Sequence, residues 1–159
     1  MVKGVIVREV KVTEADTDML GHVNNAVYLR WLVEAATQAS AENEWPQKRY
    51  FETGITWVVR QHWIEYLRQC LPGDELKIVT WVSKLAGRTS LRRYMVLRGG
   101  KICCNAATEW NLVDLRTRRA IDIPDWLAEH FEIVPDDDPR LKDLAGSVRP
   151  MRYIPLCLS

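Results

Sequence analysis

The chain has 159 residues, 47% of them hydrophobic and 27% charged, a composition that fits one globular domain with a sizeable core. Its 22 basic and 21 acidic residues give a formal net charge of +1, which offers no electrostatic case for binding nucleic acid or a membrane surface. No apolar run is long enough to cross a bilayer, and the first residues lack the apolar stretch of a signal peptide. Four cysteines show no metal-site or redox spacing, so we predict a cytoplasmic protein with reduced thiols.

A strand and one long helix are predicted in the first third of the chain. Residues Val5 to Val12 alternate apolar with charged side chains, which is typical of a half-buried strand. After a polar segment, apolar side chains recur with helical spacing from Asn25 to Glu42. Asn24 or Asn25 is a natural N-cap for this helix, and Pro46 marks its end. The apolar stripe consists of Tyr28, Trp31, Leu32, Ala35, Ala36 and Ala39.

The next part of the chain has the period-two pattern of strands. Apolar and polar residues alternate from Ile55 to Tyr66 and in three further runs that are joined by short turns containing glycine. Those runs are residues 76–83, Leu91–Arg98 and 102–112. Short turns imply antiparallel pairing, and the helix must bury its stripe against the sheet, so we predict an α+β fold.

Three further expectations concern the regions between and after these elements. Gln47 to Gly54 is interpreted as a connection without regular structure. The adjacent Cys103 and Cys104 are expected to point to opposite faces of their strand. We assign residues 1–134 to the domain and residues 135–159, which are polar and contain proline, to a loosely packed C-terminal arm.

The polar segment ADTDMLGHVNN, residues 15–25, carries the clearest chemical signal. Asp16 and Asp18 have the spacing of a calcium-binding loop, but Leu20 and Val27 stand where two of its ligands belong, so no metal site is predicted. The segment leads into the helix N-terminus, where free amides and the helix dipole would polarise a thioester carbonyl. Asp18 would then attack the carbonyl carbon or orient a water molecule that does so.

The pattern D-x-D-x-x-G-H-V-N-N-x-x-Y-x-x-W-x-x-E, from Asp16 to Glu34, resembles the signature of hot-dog-fold acyl thioesterases. It is similar to 4-hydroxybenzoyl-CoA thioesterase-like proteins and to plant acyl-ACP thioesterases, and the resemblance covers roughly residues 5–131. It implies an antiparallel sheet of five to six strands wrapped around one long central helix. It also implies a homodimer or homotetramer in which each site is built from two chains.

The resemblance assigns catalytic roles to three residues. Asp18 lies where both branches place an aspartate, which is catalytic in the benzoyl-CoA branch. His22 matches a histidine that is considered catalytic in the plant motif, but Leu20 replaces that motif's catalytic asparagine. This replacement favours the simpler scheme of Asp18 acting with helix amides, and it leaves His22 open to a structural role. Glu34 is a third candidate catalytic residue, because a carboxylate on this helix is the base in some hot-dog enzymes. The alternative role for Glu34 is that of an ion-paired surface residue.

The predicted substrate-binding residues fall into two groups. The group beside the thioester is Gly21, Val23, Asn24 and Asn25. Arg88 and Ser90 match part of the basic segment that binds CoA phosphates in the benzoyl-CoA branch. Arg92 and Arg93 would add charge to the same edge, where arginine suits phosphate groups.

The predicted function is hydrolysis of an acyl-CoA thioester to a free acid and coenzyme A. Coenzyme A enters as part of the substrate, and no metal or redox cofactor is expected. Three alternatives stay open: an acyl-carrier-protein substrate, a hot-dog enoyl-CoA hydratase or dehydratase, and a non-catalytic regulator that binds acyl-CoA. The sequence does not identify the acyl group.

Overall fold

The computed structural model describes residues 2–152, which contain one antiparallel sheet of five strands in the order β1-β3-β4-β5-β2. The strands are β1 (Val5–Lys11), β2 (Ile55–Tyr66), β3 (Glu75–Ala86), β4 (Thr89–Arg98) and β5 (Lys101–Asp114). The helices are α1 (Asn25–Glu42), α2 (Gln47–Thr53), α3 (Asp125–Ala128) and α4 (Pro139–Ala145). The predicted α+β class is confirmed. Within the described residues, no helix has both the length and the apolar character needed to span a membrane.

Helix α1 covers one face of the sheet, which we call the inner face. All six residues of the predicted apolar stripe are buried. The sheet residues that pack against them include Leu76, Ile78, Tyr94 and Val96. The alanines on the stripe allow the helix to lie close to the sheet, and each large apolar side chain buried there contributes about 1.5–3 kcal/mol. The helix begins where predicted, because the Asn24 side chain accepts the N–H of Ala26 at 2.9 Å.

The segment after α1 is helical, so the prediction of an irregular connection from Gln47 to Gly54 is wrong. Helix α2 is held by Tyr50, which is buried and whose ring packs 4.9 Å from that of Trp45. The Tyr50 hydroxyl lies 2.7 Å from Ser40 Oγ and accepts the indole N–H of Trp57 at 2.9 Å. These tertiary contacts stabilise a helix that is too short to show a clear sequence period.

The opposite face of the sheet, the outer face, is covered by the segment that follows residue 134. Leu141 of α4 is fully buried against an apolar cluster that includes Val79, Trp81 and Met95. The prediction of a loosely packed arm is therefore wrong for residues 135–152, and residues 153–159 lie outside the described part of the chain. The division of the chain at residue 134 stays a prediction.

A buried arginine ties this C-terminal segment to the outer face. Arg93 is fully buried, and its guanidinium donates to the Asp136 carboxylate at 2.6 Å and to Asn105 Oδ1 at 2.8 Å. It also donates to the carbonyl oxygen of Arg149 at 2.8 Å. The side chain of Arg149 in turn reaches the Glu65 carboxylate at 2.6 Å. Polar residues of the segment therefore hold it in place as firmly as its apolar ones.

An irregularity in β5 changes the direction of one cysteine. Cys104 pairs with Val96, but the next pair is Ile102 with Leu97, so Cys103 is an extra residue in the ladder. Cys103 and Cys104 both belong to the core cluster beneath α1. The expectation that they point to opposite faces is wrong because this bulge interrupts the alternation.

Candidate active site

The two aspartates of the segment before α1 have different surroundings. Asp16 is buried, and its carboxylate accepts the backbone N–H of Thr13 at 2.9 Å and the Thr13 hydroxyl at 3.1 Å. The other carboxylate oxygen of Asp16 pairs with Arg30 at 3.1 Å. Both oxygens therefore serve the local structure, where they fix the turn that leads to α1.

Asp18 is exposed and sits in a tight turn beside the start of α1. Its Oδ1 accepts the backbone N–H of Leu20 at 2.9 Å, and its carbonyl oxygen accepts the N–H of Gly21 at 3.0 Å. Gly21 has φ +78°, a conformation that favours glycine. The hydrogen bond to Oδ1 thus orients the Asp18 carboxylate, while its Oδ2 accepts no hydrogen bond from residues 2–152.

The backbone amides around this turn are only partly available to a substrate. Five of them donate within the chain: Asp18 to His22, Leu20 to the Asp18 side chain, Gly21 to Asp18, Val23 to Cys70 and Asn24 to Asp16. The N–H groups of His22 and Asn25 have no acceptor in the described part of the chain. Asn25 is the first residue of α1, so its open N–H lies at the positive end of the helix dipole. Of the backbone amides that the sequence predicts to polarise a thioester carbonyl, these two have an N–H that is free within residues 2–152.

The side chains of residues 22–25 have several roles. The His22 side chain is half-buried and makes no hydrogen bond to residues 2–152. Val23 is 4% exposed and belongs to the core, and the Asn24 side chain is the helix cap already described. The carbonyl oxygen of Asn25 accepts the Tyr66 hydroxyl at 3.2 Å. The structure therefore brings Asp18 and residues 21–25 together in one turn, as predicted.

Glu34 is not part of this turn. It lies about 14 Å along the axis of α1 from Asn25, at 1.5 Å per residue. Its half-exposed carboxylate pairs with Arg8 at 3.3 Å and with Arg30 at 3.7 Å. Glu34 is therefore paired with two cations, whereas a catalytic base needs an unpaired carboxylate.

The residues predicted to bind CoA phosphates do not form one basic edge. Arg88 is exposed in the turn between β3 and β4, whereas Ser90 is buried on the inner face. Arg92 is also buried, and Arg93 points to the outer face, as described above. The expectation that Arg92 and Arg93 add charge to this edge is wrong, because strand alternation carries both side chains into the interior. Side chains alternate along a strand, and Tyr94 and Val96 lie on the inner face, so Arg92 lies there too. This alternation is the sequence pattern from which the position of Arg92 could have been predicted.

Ser90 and Arg92 line a cavity of about 250 Å³ between the sheet and the second half of α1. Its walls are largely aromatic and include Trp45, Trp57, Trp110 and Phe131. Its border on α1 begins at Val33, about 12 Å along the helix axis from Asn25. The cavity was not predicted from the sequence.

One further polar contact lies on the inner face near this cavity. His62 Nδ1 is 2.8 Å from the Thr108 hydroxyl, and burial lowers the pKa of His62 below its usual value. Thr108 is the direct cross-strand neighbour of both His62 and Arg92. A polar row therefore crosses three strands beneath the helix.

A family model described as the thioesterase-like superfamily matches residues 12–131. The chain belongs to this superfamily. Long-chain acyl-CoA thioesterase FadM of Escherichia coli (strain K12) is 28% identical over 126 residues, which cover 78% of this chain and 95% of that protein. Chloroplastic acyl-(acyl-carrier-protein) hydrolase FATB3 of Cuphea viscosissima is 33% identical over 95 residues, which cover 56% of this chain and 22% of that protein. The chain spans about a quarter of the length of the plant relatives it matches.

Solved structures of the superfamily have the same fold. A hypothetical protein, TT1821 from Thermus thermophilus, superposes with a TM-score of 0.73 at 25% identity, over 79% of this chain and 95% of that one. DHNA-CoA thioesterase from Staphylococcus aureus gives a TM-score of 0.72 at 21% identity, over 79% and 87% of the two chains. The predicted hot-dog fold is confirmed. The predicted membership of the thioesterase superfamily is likewise confirmed.

Proposed function

We propose that the protein hydrolyses an acyl-CoA thioester, with Asp18 as the nucleophile or general base. The observation that carries the proposal is that one hydrogen bond orients the Asp18 carboxylate in the turn that leads into α1, whose first residue, Asn25, has an open N–H. Thioester hydrolysis needs a carboxylate and an electrophilic clamp, and this turn offers both. The reaction takes coenzyme A only as part of its substrate.

In this mechanism the thioester carbonyl oxygen accepts hydrogen bonds from the N–H groups of Asn25 and His22. These donors stabilise the negative charge that develops on the oxygen. If Asp18 is a general base, it takes a proton from the attacking water and the thiolate leaves. If Asp18 is a nucleophile, it displaces the thiolate to form a mixed anhydride, and water then attacks the Asp18 carbonyl carbon to release the acid. A single turnover in ¹⁸O-labelled water separates the two, because only the nucleophilic route transfers an unlabelled carboxylate oxygen to the first product molecule.

Thiol release from a panel of aryl, short, medium and long acyl-CoAs tests the proposed function. Asp18→Asn should lower kcat by about 10²–10⁴-fold, which is the usual contribution of a positioned acid or base. Glu14→Gln, which removes an exposed carboxylate from the preceding turn, is the matched control. Failure of every acyl-CoA to release thiol would refute the hydrolase. Hydration of crotonyl-CoA without thiol release would indicate a lyase instead, and binding without reaction would indicate the regulator.

The carrier of the acyl group is the second open question. The likeness to plant acyl-carrier-protein hydrolases supports an acyl-carrier-protein substrate, whereas the likeness to FadM, which extends over nearly all of that protein, supports acyl-CoA. We favour acyl-CoA on this ground. Measuring kcat/KM for one acyl chain on both carriers decides between them.

We propose that the active form contains at least two chains, paired through β2. This strand is an edge of the sheet, 12 residues long, and its exposed side chains include Val58 and Val59. A long edge strand with apolar side chains is a template for pairing with a second copy. Met19 and Leu20, beside Asp18, are 99% and 72% exposed, which supports cover by a partner chain close to the site. The mass of the assembly in solution distinguishes a homodimer from a homotetramer.

A further inference from the structure

Arg92 is a buried cation for which the described residues provide no counter-charge. The residue is 6% exposed on the inner face, and it lines the cavity beneath α1. Its hydrogen bond within residues 2–152 is the one that Nη1 donates to Thr80 Oγ1 at 3.1 Å, and it forms no ion pair there. Burial lowers the pKa of Arg92, and the titratable groups that act on it are Tyr94 and Tyr50, with no carboxylate among them.

The next residue in the chain shows how the protein treats a buried arginine elsewhere. Arg93 is as deeply buried, but it is paired with the Asp136 carboxylate at 2.6 Å. A buried charge is costly unless it is paired and hydrogen-bonded. Arg92 therefore has the environment of a binding residue whose anion comes from outside the chain.

The other polar groups at the cavity are less available. Ser40 Oγ donates to the carbonyl oxygen of Trp45 at 2.8 Å, so it accepts the proton of the Tyr50 hydroxyl. The Tyr50 oxygen accepts the N–H of Trp57, and its hydrogen-bonding capacity is then largely used. The Ser90 hydroxyl makes no hydrogen bond to residues 2–152 and lies on the same strand as Arg92. Arg92 and Ser90 are thus buried polar residues of the cavity that keep hydrogen-bonding capacity for a ligand.

The remaining walls indicate the kind of ligand. A cavity of about 150 Å³ lined by apolar side chains holds a benzene molecule. This cavity has about 250 Å³ and is walled by indole and phenyl rings, which pack well against a flat aromatic group. Its volume therefore fits one aromatic ring with a polar substituent.

We propose that this cavity, which we call the arginine cavity, binds an aromatic carboxylate, and that Arg92 pairs with the carboxylate group of this ligand. The cavity begins about 12 Å along the α1 axis from Asn25, so the ligand is a molecule separate from the acyl group held beside Asp18. The inference goes beyond the proposed function and does not depend on it.

Binding without catalysis tests this inference. The tryptophans that line the cavity are a built-in fluorescence probe, so purified protein is titrated with monomethyl terephthalate and with dimethyl terephthalate. The first carries one carboxylate, and the second is a neutral molecule of nearly the same shape. Saturable quenching with at least tenfold tighter binding of the monoester is expected. Equal affinity for the two ligands would overturn the proposal.

Two variants assign this preference to Arg92. Arg92→Met should abolish the preference for the monoester, whereas Arg116→Met, which removes an exposed turn arginine, should retain it. Equal loss in both variants would indicate a general charge effect and refute the pairing. Arg92→Lys keeps the charge without the forked donors, and retention of part of the preference by this variant supports the pairing if the methionine variant does not fold.

Discussion

Two consecutive arginines of β4 occupy opposite faces of the sheet and differ in their partners. Arg93 donates hydrogen bonds to the Asp136 carboxylate, a side-chain amide oxygen and a backbone carbonyl oxygen, whereas Arg92 donates one to a threonine hydroxyl. Removing one partner of a buried pair leaves the other groups desolvated and unsatisfied. Replacing an unpaired buried charge by an apolar side chain relieves a desolvation cost.

The two positions should therefore respond differently to the same change. Arg93→Met should lower the free energy of unfolding by about 2 kcal/mol, because it leaves the buried amide oxygen of Asn105 without its donor. Arg92→Met should lower it by less than about 1 kcal/mol, or raise it, because only the Thr80 hydroxyl loses a partner. Urea unfolding of the two variants measures both values. A loss at Arg92 as large as that at Arg93 would mean that Arg92 already has a counter-charge.

The N–H of Asn25 is open to a direct test, because proline is well tolerated at the first position of a helix. The preceding residue, Asn24, has φ −62° and ψ 136°, which a following proline accepts. Asn25→Pro should thus preserve α1 and remove one donor to the oxyanion, which typically costs about 10²–10³-fold in kcat. Asn25→Ala removes the side chain and keeps the N–H. If both variants have the same kcat, the backbone donor has no role.

At the scale of elements, strong local signals made some parts of the fold predictable. Helix α1 and strand β2 have the predicted limits because each is long and has one clear period. Helix α2 escaped prediction because its stability comes from Tyr50, whose partners Ser40, Trp45 and Trp57 lie outside the helix. The C-terminal segment was misjudged because its charged residues suggested solvent exposure, although Asp136 and Arg149 bind groups on the sheet.

The site was predictable to a similar extent. The turn from Asp18 to Asn25 could be located because the residues that form it are contiguous. Which of its amides are open depends on a carbonyl of Cys70, far along the chain, and no local pattern gives that contact. The cavity was missed for the same reason, since its lining comes from two helices and three strands.

The docking of the C-terminal segment should depend on pH through Glu65. Arg149 and Arg152 hold the pKa of Glu65 below its usual value of 4.5. Since the folded-state pKa is lowered, the ion pairs stabilise the docked segment above about pH 4.5, and this contribution is lost as the pH falls through the lower value. Glu65→Gln should remove it at every pH.

Hydrogen exchange of residues 145–152 measures this effect. Exchange should be faster in Glu65→Gln than in the unaltered protein at pH 7, and the two should converge once the pH falls below the lowered pKa of Glu65. Glu52→Gln, at an exposed position on α2, controls for the general loss of a carboxylate. Equal exchange at pH 7 in all three proteins would show that the apolar contacts of α4 suffice.

For the whole molecule, the two edges of the sheet provide a matched comparison. Val59 on β2 and Val7 on β1 are 40% and 38% exposed, and each lies on an edge strand. If copies pair through β2, Val59→Lys should shift the protein from dimer to monomer at micromolar concentration, since an edge lysine opposes strand pairing. Val7→Lys should leave the mass unchanged. Light scattering measures both, and an unchanged mass in Val59→Lys would exclude pairing at this edge.

The covered outer face also limits how such dimers can assemble further. Two sheets that stack face to face are separated by about 10 Å, which leaves no space for an intervening helix. Helix α4 occupies this position over Val79, Trp81 and Met95, with Leu141 inserted among them. A back-to-back tetramer would first have to displace α4 and break the contacts of Arg93. The C-terminal segment thus acts as a steric stop, and any larger assembly of this chain has to grow from its helical side or its edges.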